Sequence, residues 1–185
     1  MTFKTKELIF IALMAAALFV VNLIIGSGII AATGVPGASG FVTGLTNLIF
    51  ITFTALVLKR FWSLTILYLI YGILAIPTPM AGGPPGFFWK IIPLVITAFI
   101  FEVVVRIFNY RKRGFVIALP AFVVVGISAY ILTYWILGMP ELEKIIAVWP
   151  IMIALFVPLG YLGIWLGFKI YNRTKNKRVV YQITS

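Results

Sequence analysis

Residues 41–60 read FVTGLTNLIFITFTALVLKR: an uncharged, largely apolar run of 18 residues, stopped by Lys59 and Arg60. A run of that length is close to what a helix needs to cross a hydrocarbon core of ~30 Å. A basic pair directly after it marks a chain leaving the bilayer on its positively biased side. The same pattern repeats in both directions. No Asp, Glu, Lys or Arg occurs in residues 8–58, 61–89, 91–101, 114–140 or 145–168. Hydrophobic residues make up 63% of the 185, and the mean hydropathy is +1.15. A soluble core does not hide that much apolar surface. The spacing predicts an all-α integral membrane protein: one six-helix domain over 1–185, with transmembrane spans at about 8–26, 41–58, 61–77, 87–107, 115–137 and 146–169.

The charges orient those spans. Lys4 and Lys6 precede the first, Lys59 and Arg60 join the second to the third, Arg106, Arg111, Lys112 and Arg113 join the fourth to the fifth, and Lys169, Arg173, Lys175, Lys177 and Arg178 follow the sixth. Only Lys90 and Lys144 of the 15 basic residues fall on the opposite side. By the positive-inside bias both termini and the 59–60 and 106–113 turns are expected to be cytoplasmic. Lys4 and Lys6 ahead of an apolar stretch also resemble a signal peptide, with Ala31-Ala32 as a small-residue site. The stretch is long enough to span, and the expectation is that it is retained. The net charge of +11 is then a matter of topology and attraction to anionic lipid, each basic residue near such a surface contributing about 1 kcal/mol. No nucleic-acid partner is expected.

Absences narrow the chemistry. The chain has no Cys and no His, so thiolate catalysis and the commonest general base and metal ligand are missing. Its four acids are Glu7, Glu102, Glu141 and Glu143, which offers no intramembrane carboxylate pair. Gly-Lys occurs nowhere, so no P-loop holds nucleotide. The expectation is a protein that is not an enzyme and carries no metal or cofactor. Glu102 and Arg106, four apart near the inner boundary, are expected to form a local ion pair. Gly160, Gly163 and Gly167 make a smooth face for a neighbouring helix.

Polar and aromatic residues in the outer half are the candidates for binding a ligand. The connection GSGIIAATGVPGASG (26–40), uncharged and rich in Gly and Ala, is compatible with lying on or dipping into the outer face. The connection PTPMAGGPPGFFWK (77–90), rich in Pro and Gly, reads either as an ordinary turn followed by an interfacial aromatic belt or as a lid and rim over an outward pocket. Trp89 and Lys90 close the second; Lys90 either snorkels to the headgroups or faces the bundle and pairs with an anionic ligand group. Pro93 predicts a loosened first turn of the fourth span. Tyr68 and Tyr71, and Tyr130 and Tyr134, are spaced to share helix faces, with Trp149 opening the sixth span. Such rings suit a planar heterocycle or a helix interface. Asn22 and Asn47 are amides inside the first two spans, able to bond between helices or to a ligand.

The first span, ELIFIALMAAALFVVNL (7–23), places Ala12 and Ala16 one turn apart, with Ala15 widening the smooth patch. Here the chain resembles the substrate-binding (S) components of energy-coupling factor (ECF) transporters. Their first helix carries a short basic lead, then Ala-x-x-x-Ala followed by Leu and Val, which Lys4, Lys6, Ala12 and Ala16 match. The resemblance implies a vitamin-uptake subunit with six spans and cytoplasmic termini. It implies that the Ala12, Ala15 and Ala16 face docks on a transmembrane coupling subunit, and that a separate ATPase pair energises uptake of a small vitamin-like substrate. The run GPTGGY of biotin-specific members is absent, and the substrate stays open. Two alternatives accompany this reading. Six spans with both termini inside permit a small secondary transporter of 3+3 inverted repeats, although the halves show no sequence echo. A non-transport membrane scaffold would have no outer pocket.

Overall fold

A computed structural model describes residues 3–33, 38–78, 85–138, 142–176 and 183. Among them the chain is helical with no strand. Each apolar block forms one helix: α1 (Thr5–Thr33), α2 (Ala38–Leu58), α3 (Ser63–Ala75), α4 (Ile91–Ile107), α5 (Lys112–Ile136) and α6 (Leu142–Thr174), with a short 3-10 turn, Phe88–Lys90, leading into α4. In lipid a backbone amide has no water to bond, and a helix satisfies each one within its own segment. Four stretches, Thr5–Ile29, Phe88–Ile107, Lys112–Ile136 and Ile153–Thr174, are long and apolar enough to cross a membrane. Thr43–Leu58 and Ser63–Ala75 are apolar but shorter. The 13 residues of α3 rise about 20 Å, short of a full hydrocarbon core.

Two boundaries differ from the expectation in an instructive way. The Gly- and Ala-rich run after residue 26, expected as a connection, continues α1 to Thr33. Glycine weakens a helix by about 1 kcal/mol per residue in water, but Ile29 and the alanines beside it are compatible with one, and a dehydrated backbone gains more by staying bonded. Pro93 leaves α4 itself unbroken, and the first turn of the span ahead of it, Phe88–Lys90, is the tighter 3-10 form. Pro93 is the third residue of α4, inside the first turn, where a missing amide hydrogen breaks no bond. Of the two outer connections, residues 34–37 and 79–84 lie outside the described residues.

The helices close into a ring. α1 packs on α2, α2 on α6, α6 on α5, α5 on α4, α4 on α3, and α3 back on α1. Glycine sets the α2–α6 seam. A Cβ on Gly163 would stand 2.9 Å from the Leu45 carbonyl oxygen, and one on Gly167 would stand 2.7 Å from the Thr52 Cβ. One neighbour is backbone and the other a β-branched stem, so neither yields cheaply. The small-residue face read from the sequence is therefore a packing seam. Inside the ring, Ile11, Leu18, Ile51, Leu67, Phe101, Phe115 and Leu119 form the buried core. Phe101 bridges α4 to α5 through edge contacts with Phe115 and Phe122 at 6.0 and 5.5 Å between ring centres.

Both connections at the end where α2 meets α3 and α4 meets α5 are tight. Lys59, Trp62, Asn109 and Tyr110 have positive φ, from 48° to 77°, a conformation that reverses the chain in few residues at the expense of local strain. Trp62 caps α3 without a side-chain bond. The missing partner comes from α4: the Glu102 carboxylate accepts from the amides of Leu64 and Thr65 at 3.1 and 3.2 Å, and from the hydroxyls of Ser63 and Thr65 at 3.2 and 2.7 Å. An anion at a helix N-terminus satisfies orphan amides and meets the positive end of the dipole. This corrects the expected pairing with Arg106, whose guanidinium instead lies 4.8 Å from the centre of the Phe61 ring. Glu102 joins two helices rather than neutralising its own.

Candidate functional site

Asn22 on α1 is fully buried, and a buried amide has four hydrogen-bonding positions to satisfy. Its Nδ2 donates to the Tyr71 hydroxyl on α3 at 3.1 Å and toward Asn47 Oδ1 on α2 at 3.4 Å. Its Oδ1 accepts from the Thr46 hydroxyl, which also reaches the Thr43 carbonyl at 2.9 Å. Three helices thus meet at one amide. Asn22 lies fifteen residues beyond Glu7 on α1, about 22 Å along the axis, which sets the cluster well away from the basic end.

Aromatic rings extend this cluster across the bundle. Tyr68 and Tyr71 lie 5.9 Å apart with tilted planes, and the Tyr68 ring meets Phe122 of α5 edge-on at 6.4 Å. The phenol of Tyr130 on α5 is close enough to interact electrostatically with Tyr68, Tyr71 and Tyr134. Tyr68 is buried, and its hydroxyl has no hydrogen-bond partner among the described residues. A buried hydroxyl left unpaired is unfavourable by about 1–3 kcal/mol, so this atom stands out in an otherwise bonded group.

A second group forms the rim. Lys90 is buried, with 0% of its surface exposed, and its ammonium donates to the Thr78 carbonyl at 2.7 Å, just past the end of α3. Its ammonium is turned toward the end of α3. The Phe87 ring meets Tyr134 edge-on at 6.0 Å. Trp89 points elsewhere: it is 40% exposed and tilted against Phe88 at 4.8 Å; Trp135 is 67% exposed. Both suit the headgroup belt. Trp149 falls within α6, and its side chain lies outside the described residues.

The structure therefore brings together Asn22, Asn47, Tyr68, Tyr71 and Tyr130, places Lys90 and Tyr134 at the rim, and leaves Trp89 outside. Thr46 was missed by the sequence reading. Its only signal is a hydroxyl next to Asn47, and threonines in apolar helices commonly bond their own backbone. On α1 the three alanines divide. Ala15 is buried in the core, whereas Ala12 and Ala16 face outward beside Ile9, Leu13 and Val20.

No protein-family model matches the chain, and no curated protein or solved structure is significantly similar to it.

Proposed function

We propose that this chain is the membrane-embedded substrate-binding component of an ECF-type uptake system. In this reading it is a six-span bundle with both termini cytoplasmic in a prokaryotic plasma membrane. It holds a small vitamin-like molecule taken from outside, and separate coupling and ATPase subunits drive transport. One observation carries it: the partnerless Tyr68 hydroxyl, set among the Asn22, Asn47, Tyr71 and Tyr130 groups inside an apolar bundle. Polar groups at that depth are expensive and mark ligand paths as a rule, and phenol rings with polar handles suit a planar ligand. Because these side chains are buried, a ligand reaches them when the outer ends of the helices part.

The orientation rests on the distribution of basic residues, and the docking face on the exposure of Ala12 and Ala16. A coupling-ion transporter is disfavoured by Glu102, the acid within a span, being spent on the N-terminus of α3. The mutual bonds of Asn22, Thr46 and Tyr71 favour a second reading, in which the cluster only ties helices together.

The test begins with native mass spectrometry of the detergent-purified chain, which should show a co-purified small molecule. Titration of that molecule into Tyr68→Phe should then show affinity reduced about tenfold, the loss of one hydrogen bond. Thermal stability should hold or rise, since the hydroxyl has no protein partner to lose. Unchanged affinity would return the cluster to a purely structural role.

Docking makes a separate prediction. Ala12→Leu and Ala16→Leu add bulk to outward-facing positions, so the isolated protein should fold and bind as before. Assembly with the coupling subunit, read by co-purification after co-expression from the native host, should be lost. Intact assembly in both variants would remove this face from the proposal.

A further inference from the structure

The basic end of the bundle holds a feature that ligand capture at the other end does not use. Between the α2–α3 and α4–α5 turns lies a crevice of about 440 Å³ lined by Lys59, Arg60, Phe61, Arg106, Asn109 and Tyr110. A neighbouring crevice of about 260 Å³ shares Asn109 and adds Arg111 and Arg113. Five cationic side chains thus surround one asparagine. The two acids at this end are already engaged. Glu7 pairs with Arg60 at 2.6 Å and accepts from the Lys4 amide at 2.8 Å, while Glu102 is turned to the amides of α3. Lys59 and Arg106 have no carboxylate partner among the described residues.

Donors complete the crevice. The Tyr110 hydroxyl is enclosed and has no hydrogen-bond partner among the described residues. Burial pushes the Tyr110 phenol up to about 12, with the charge of Glu102 adding to the rise and that of Arg106 opposing it, so it remains a neutral donor at physiological pH. Apolar surface flanks the cations on the lipid side. Ile107 is 69% exposed and Trp62 48%, and Trp62 packs with Phe61 and Phe99 at 5.0 and 5.5 Å. Cations, amide and phenol donors beside an exposed apolar strip at the helix ends match a phosphate group carried on an amphiphile.

We propose that this crevice is a binding site for a phosphate-bearing anion, held by Lys59 and Arg106 with Asn109. It lies at the opposite end of the bundle from the Asn22 cluster and stands whether or not that cluster binds a ligand. The phosphate comes either from an anionic phospholipid headgroup or from a free phosphate compound, and the exposed Ile107 and Trp62 favour the lipid.

The experiment is native mass spectrometry of the full chain in detergent, titrated with phosphatidylglycerol, with phosphatidylcholine, and with glycerol 3-phosphate as competitor. Phosphatidylglycerol should bind in clear preference to phosphatidylcholine, whose ammonium offsets its phosphate. The double variant Lys59→Gln, Arg106→Gln should bind it about tenfold more weakly. Lys59→Gln alone, at an exposed position, should give a smaller loss in the same direction without touching the packing of Arg106 on Phe61. Arg173→Gln with Lys175→Gln, at the end of α6 and outside the crevice, should change binding less than twofold. Weak competition by glycerol 3-phosphate assigns the site to lipid, and strong competition assigns it to a free phosphate compound; both support an anion site. Equal binding of the two lipids, wild-type binding by the double variant, or an equal loss in the α6 variant would overturn it, the last because it indicates diffuse attraction to a basic surface. Circular dichroism confirms that each variant is folded.

Discussion

Replacing Glu102 with alanine is expected to destabilise the protein by about 3 kcal/mol, the largest loss foreseen for any single polar substitution here. The carboxylate accepts from two amides and two hydroxyls at the start of α3. Removing it leaves buried donors with no water to take its place, at about 1–3 kcal/mol for each one truly orphaned. The Ser63 hydroxyl keeps a bond to the Arg60 carbonyl at 2.8 Å, which leaves the amides of Leu64 and Thr65 and the Thr65 hydroxyl to lose their partner, and the expected total sits at the low end of their combined cost. Glu102→Gln keeps one acceptor oxygen but loses the charge at the helix N-terminus, so a smaller loss of about 1 kcal/mol is expected. Unfolding of purified variants in a denaturing detergent reads both, with the order wild type, Gln, Ala. Because α3 is short and Trp62 gives it no side-chain cap, the Ala variant should also exchange the amides of Leu64 and Thr65 faster with deuterium. An Ala variant as stable as wild type would show that the α3–α4 clamp contributes nothing.

Asn22→Leu is expected to have the largest effect on ligand binding. Leucine has similar bulk and suits the surrounding lipid-like interior, but it strips Tyr71, Thr46 and Asn47 of a common partner. Interhelical hydrogen bonds in membranes average about 0.6 kcal/mol, so three of them put the stability loss near 2 kcal/mol. The Thr46 hydroxyl retains the Thr43 carbonyl, which softens this. If the cluster receives a ligand, its three polar groups turn away from their bound positions together. Affinity for the co-purified molecule should then fall at least about a hundredfold, more than the Tyr68→Phe loss because several groups are misplaced rather than one. Calorimetric titration alongside a melting curve separates the two outcomes. Lower stability with unchanged affinity identifies a structural tie and removes the pocket.

The contrast between these two residues also shows what a sequence conveys. Glu102 and Arg106 are four apart on a helix, and local spacing makes them partners. The chain instead spends the carboxylate on amides 38 and 37 residues away in sequence, because the α3 N-terminus arrives with no cap of its own and α4 lies against it. No periodicity encodes that arrival. Asn22 and Asn47 were legible as polar groups in apolar spans, and so were the tyrosine pairs by their spacing. Their meeting was not, since it depends on which helices become neighbours. Lys90 was ambiguous for the same reason: a long flexible side chain takes either direction, and the Thr78 carbonyl at the end of α3 decides.

By itself the sequence determined the segments. Apolar runs bounded by charges define six helices, because a dehydrated backbone has few alternatives to bonding itself and charges stay out of hydrocarbon. The places where those helices stop shifted by a few residues, with the Gly- and Ala-rich end of α1 the clearest case. Only the tertiary structure decided the order around the ring, which sets α6 beside α2 and α3 beside both α1 and α4. That order follows from close contacts between particular surfaces, such as Gly163 against the Leu45 carbonyl. Such fits depend on shape across the whole bundle, and the amphipathic stripe that would announce a buried face is weak here, because apolar side chains suit lipid and core alike.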